Sequence, residues 1–179
     1  MEYLVAFALL VAMGAWVVSS YLRLFHLYER VQGAWLQWTD ATRLRNECLG
    51  DFLQVFASYL PQGDMLPRDM RRWAEDSERA LSATAGAPPR GNFAGLGSAE
   101  RHLRRVVSHS VHTLETTRNM REDPHLRELC AAMSVSLYRQ EELAGVYNRS
   151  VAEYNSALRA PGARMVAGLF GFAPMAAVS

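Results

Sequence analysis

Residues Leu4 to Leu22, LVAFALLVAMGAWVVSSYL, run for 19 residues without a charge, and no other stretch restricts the fold as strongly. At about 1.5 Å per residue an α-helix of that length covers about 28 Å, close to the hydrocarbon thickness of a bilayer. Tyr3 stands at one end, with Trp16 and Tyr21 toward the other, where aromatic rings favour the membrane interface. One membrane-spanning helix at the N-terminus is expected. The rival reading is a cleaved secretory signal. A signal needs a basic leading region, whereas only Glu2 and the terminal amine precede this run, and no clean A-x-A site follows Ser20. An uncleaved anchor over residues 1–22 is therefore preferred. Arg23 and Arg30 follow the span and no arginine precedes it, so the positive-inside rule puts the long C-terminal part in the cytoplasm.

Residues 23–179 suffice for one domain with its own core. Half of the chain is hydrophobic, well above what a disordered sequence carries. A formal net charge of +1 argues against a dedicated nucleic-acid binder, which would carry a basic stripe. The 19 basic residues are all arginine, a bias that GC-rich coding explains as well as function does. Cys48 and Cys130 form no CxxC and have no metal-like spacing with histidine. In a reducing compartment they act as small buried hydrophobes; in an oxidising one they could pair.

After the span, Leu24, Tyr28, Val31, Trp35 and Trp38, then Leu49, Phe52, Phe56 and Tyr59, recur in steps of three and four. This predicts an amphipathic helix continuous with the anchor and ended by Pro61-Gln62-Gly63-Asp64. Thr42 and Arg45 interrupt the stripe, and Ala41, Leu44 and Cys48 are expected to carry the contact there. A second helix, Pro67 to Ala85, buries Leu66, Met70, Trp73, Ser77, Ala80 and Leu81 against a face of mixed charge. Residues 86–97 read as a loop with a Gly95-Leu96-Gly97 hinge. Ser98 reads as the cap of a third helix, with Glu100 in its first turn and an end near Glu122. Asp123-Pro124 opens a fourth. Its stripe, Leu126, Cys130, Met133, Leu137, Gln140, Ala144, Tyr147, Val151, Tyr154 and Leu158, alternates steps of four and three without a slip. Pro161-Gly162 closes it.

The expected fold is all-α: a transmembrane helix continuous with a long antiparallel four-helix bundle over residues 23–160. The returning fourth helix would deliver residues 161–179, an apolar tail with Arg164 as its one charge, to the bilayer surface. There the tail can lie in the interface, with Arg159 and Arg164 reaching lipid phosphates. Alternatively Leu169, Phe170 and Phe172 fold back on the bundle.

Residues 147–155 have the form YNxxVxxYN: Tyr147, Asn148, Val151, Tyr154 and Asn155. Gly171-Phe172 follows in the run AGLFGF, and Ala34-Trp35 lies upstream. With the N-terminal span, these residues resemble the LemA family of bacterial membrane proteins over nearly the whole chain. Several positions depart from that pattern: Ser136 stands where an acidic residue is usual, Leu49-Gly50-Asp51 replaces Ile-Pro-Asn, and the loop between the second and third helices is short on familiar features. The resemblance implies an inner-membrane protein with its N-terminus outside and a cytoplasmic helical bundle. Relatives in the magnetosome membrane imply a structural or membrane-shaping role. From the residues themselves, paired tyrosines and asparagines seven apart are expected to specify the first long helix against the fourth, with Trp35 and Trp38 opposite them in a ring-to-amide cluster.

No nucleophile elbow, HExxH or phosphate loop is present, so no catalytic, cofactor or metal residue is assigned. His102, His109 and His112 lie on the polar side of the third helix and read as a solvated face. The expected partners are the bilayer, other proteins and a second copy of the chain, although the span carries no GxxxG. A scaffold is the first reading. A module docking a membrane protease or another envelope partner through Arg68, Arg71, Arg72, Arg101, Arg104 and Arg105 is the second.

Overall fold

The computed structural model describes residues 1–60, 63–84, 86–90, 94–116 and 122–178. It is all-α, with five helices among the described residues: α1 (Glu2–Phe56), α2 (Leu66–Ala83), α3 (Ala94–Thr116), α4 (Pro124–Arg159) and α5 (Pro161–Phe170). A short 3-10 turn, Ala57–Tyr59, extends α1. The absence of proline before position 61 lets α1 run unbroken through the 22/23 boundary. It is long and apolar enough to cross a membrane, and its most apolar stretch is not buried anywhere in the molecule.

Helices α1 and α4 pack antiparallel along the bundle. Their lower parts share a cluster of Leu24, Val31, Trp35 and Trp38 with Tyr147, Val151, Tyr154 and Leu158. Their upper parts share Leu49, Phe52 and Phe56 with Leu126, Cys130 and Met133. Met70 of α2 and Leu103, Val107, Val111 and Leu114 of α3 belong to the upper cluster, whereas Leu81, near the end of α2, belongs to the lower one. Thus α2 descends, α3 climbs again, and only the end of α2 reaches the lower cluster.

Several boundaries follow the sequence closely. Asp123 caps α4 by accepting from the backbone N–H groups of His125 (2.9 Å) and Leu126 (3.3 Å), with Pro124 in the first turn. The Tyr59 hydroxyl donates to the other Asp123 oxygen and so ties the top of α1 to the start of α4. Other boundaries differ. Helix α3 starts at Ala94, so Gly95-Leu96-Gly97 is helical rather than a hinge, and Ser98 lies inside the helix instead of capping it. The proposed stops at Pro61-Gln62 and before Glu122 fall on or beside residues outside those described. Leu44, expected to cover the break in the α1 stripe, is 47% exposed. The break is filled by Arg45 itself, which is fully buried.

The fourth helix is followed by more than a tail. Residues 161–170 form α5, which packs back along α1: Phe170 meets Tyr21 at a ring-centroid distance of 4.7 Å. Gly162 lies so close to the Trp16 ring that an added Cβ would stand 2.1 Å from it. At Gly171 the backbone turns left-handed (φ 73°), a conformation glycine adopts without steric cost, and the chain reverses.

Candidate functional site

The YNxxVxxYN segment is where α4 holds the end of its own chain. The Tyr147 hydroxyl donates to the Ala176 carbonyl at 2.8 Å, and the Tyr154 hydroxyl to the Ala173 carbonyl at 3.2 Å. Each asparagine amide pairs with one residue of the tail as a strand neighbour would. Asn155 donates to the Met175 carbonyl (2.8 Å) and accepts from its N–H (3.0 Å). Asn148 does the same with Val178, at 2.5 and 2.8 Å. Seven helical residues advance about 10.5 Å, and three extended residues advance about 9–10 Å. A seven-residue repeat on α4 therefore meets a three-residue repeat on the tail, Ala173 and Ala176 for the tyrosines, Met175 and Val178 for the asparagines. The side chains of Met175 and Val178 are buried in the lower cluster. On the tail's other side, Ala176 donates to the carbonyl of Pro89 at 3.0 Å, and Met175 bridges Arg90.

This corrects the role expected of the asparagines. Neither amide serves the α1 seam, because the tail's N–H and C=O groups need partners once Met175 and Val178 are buried. The tyrosine rings do face α1. Trp35 lies 5.2 Å from both Trp38 and Tyr147, and Tyr28 lies 6.3 Å from Tyr154. The cluster is ring on ring, and among the described residues neither indole N–H has a hydrogen-bond partner. Burial raises the Tyr147 and Tyr154 hydroxyls above the ordinary tyrosine range. Val151 is buried between them. Phe172, just after Gly171, packs against Tyr21 and Tyr28.

A second constellation joins all four bundle helices. Arg45 of α1 forks onto Glu100 of α3, one guanidinium nitrogen 3.0 Å from Oε1 and the other bonded to Oε2. Ser77 of α2 donates to the same carboxylate, and Gln140 of α4 donates to it at 2.7 Å. Arg45, Ser77 and Gln140 are fully buried and Glu100 is 4% exposed. Burial alone would push the Glu100 carboxyl up. The Arg45 guanidinium, with Ser77 and Gln140 donating, outweighs it and holds the carboxyl below the usual range. Sequence reasoning missed this network, although its signal was present: Thr42, Arg45, Ser77 and Gln140 all fall at polar breaks in apolar stripes. Glu100 itself, read as a first-turn acid, gave no sign.

The arginine surface is less organised. Arg68, Arg71, Arg72, Arg101 and Arg105 are exposed, while Arg104 is half-buried and pairs with Glu141 of α4 at 3.2 Å. His102, His109 and His112 are exposed, and His102 stacks on Trp73. No group of three His, Cys, Asp or Glu among the described residues could hold a metal ion.

Compared with known proteins, the chain matches no family model and no curated protein.

Proposed function

We propose that the chain is a non-catalytic, membrane-anchored organising protein of LemA type. Residues 1–22 cross a bacterial inner membrane, or an organelle membrane derived from it, with the N-terminus outside. The bundle stands on the cytoplasmic face. The observation carrying this reading is the packing of α5. It lies against Trp16 and Tyr21, on the last turns of the apolar run, and leaves Met165, Leu169 and Phe170 more than half exposed. A short apolar helix held at that level enters one leaflet beside the anchor, and such insertion stresses and shapes a bilayer. The same packing argues for retention of the anchor, since cleavage after Ser20 would remove Trp16 and Val17 from contacts the folded protein uses. Glu100, Tyr147 and Tyr154, three interior groups with shifted titration, are each committed to a structural bond.

Full-length protein should resist extraction by salt and by alkaline carbonate, and should deform reconstituted vesicles. Replacing Met165, Leu169 and Phe170 with serine should abolish deformation and leave the protein membrane-bound. Release by salt alone would refute the proposal. The docking-module reading draws on a separate observation: Arg68, Arg71, Arg72 and Arg105 form no ion pair among the described residues. It requires a stoichiometric partner lost on Arg71→Glu and Arg72→Glu.

A further inference from the structure

A groove of about 1040 Å³ lies at the foot of the bundle between α1 and the α4–α5 corner. Its two ends differ in chemistry. The upper end carries Arg23, His26 and Arg30 of α1 with Glu153 of α4; the lower end is walled by Trp16, Gly162 and Ala163. Seven residues separate Trp16 from Arg23, so the floor lies about 10 Å below the first charge that follows the apolar run. Gly162 shapes that floor, because any larger residue would displace the Trp16 ring. The groove is thus a cationic mouth above an apolar slot, with its long dimension along the membrane normal.

Resting on the membrane reading above, we infer that this groove holds one anionic glycerophospholipid of the leaflet beneath the bundle. Its phosphate would sit between Arg23 and Arg30, and the start of an acyl chain would lie against Trp16 and Ala163. Guanidinium groups bind phosphate through paired N–H donors. A zwitterionic headgroup would bring its own ammonium against Arg23, His26 and Arg30, so the mouth favours a lipid with net negative charge. The charges facing the site include one carboxylate, Glu153, which lies 3.1 Å from Arg30 and competes for it. Glu29 engages His26 at 3.6 Å on the same helix. Both pairs are more than half exposed and open readily to an incoming phosphate.

The test uses full-length protein in lipid nanodiscs, with Trp16 emission quenched by acyl-brominated lipids and a Trp16→Phe variant to isolate its signal. At equal mole fraction, brominated phosphatidylglycerol should quench Trp16 roughly five-fold more effectively than brominated phosphatidylcholine, the enrichment expected from the attraction of about one arginine to a lipid of net negative charge. Arg23→Gln with Arg30→Gln should remove the preference while leaving quenching by phosphatidylcholine intact. Glu153→Gln, which frees Arg30, should strengthen it. Equal quenching by both lipids in the native protein would overturn the lipid site and leave the anchor standing; no quenching by either would overturn the anchor. If added inorganic phosphate erased the preference for brominated phosphatidylglycerol, the mouth would be a free-phosphate site, and the lipid assignment would fall.

Discussion

Above the Arg45–Glu100 pair, four helices surround a core of Leu49, Phe52, Met70, Val107 and Met133; below it the core is Trp35, Trp38, Tyr147 and Tyr154, and only α1 and α4 run its length. The upper half is ordinary aliphatic helix packing. Two helices alone cannot enclose a core, so the lower half recruits larger rings, the α5 turn, Pro89, and the chain's own C-terminal segment. The two halves also differ in what holds them. Where they meet, a buried ion pair joins the helices; the lower wall is a neutral lattice of side-chain amides and hydroxyls on backbone. The YNxxVxxYN spacing matches a wall built from a non-helical segment rather than from a third helix.

The greatest effect should come from breaking the ion pair. Glu100→Ala leaves a fully buried Arg45 without its counter-charge, and a loss of about 3–5 kcal/mol is expected in the free energy of unfolding measured by denaturant titration. The double variant Arg45→Met with Glu100→Leu should recover most of it, since apolar residues of similar volume replace such pairs at little net cost. Recovery would identify the pair as a device of specificity more than of stability.

Next comes the lower wall. Asn155→Ala strands the N–H and C=O of Met175, at a cost of about 1–3 kcal/mol. Hydrogen exchange should rise over residues 144–158 and stay unchanged over 126–137; equal rises in both would show that the halves do not act separately.

Acid should act through the buried Glu100 at the junction, and alkali through the two buried tyrosines of the lower half. Glu100 titrates below its unfolded value, so its contribution is full above about pH 4.3 and disappears as acid passes through the lowered folded value. Tyr147 and Tyr154 are raised, so their contribution is full below about pH 10 and declines as rising pH approaches their folded values. Near-ultraviolet circular dichroism, to which the Trp35–Tyr147 contact contributes, should therefore fall at the alkaline limb before helicity is lost.

The smallest effect belongs to the surface. Arg71→Glu with Arg72→Glu should move stability by no more than about 0.5 kcal/mol, because both side chains are exposed. A larger change would mean that the α2 face contributes to the fold rather than to a partner.

Much of the architecture was legible before any coordinates. The charge-free run and the absence of proline implied one long first helix, and the alternating steps from Leu126 to Leu158 marked α4 residue by residue. Asp123-Pro124 announced its own cap. These are local signals, because helical period, capping and proline chemistry act within a turn or two of the chain.

What tertiary structure decided lies in contacts that leave no period. Asn148 and Asn155 read as seam residues until residues 20 and 30 positions further on supplied backbone for them to bind. Glu100 read as a helix-start acid until α3 began at Ala94 and turned its carboxylate onto Arg45, 55 residues away. Burial is conferred by whichever segment arrives as neighbour, and a polar side chain takes the partner that burial leaves unsatisfied. The chain alone thus determined the course of its two long helices, α1 and α4; only assembly decided what the polar residues between the helices hold.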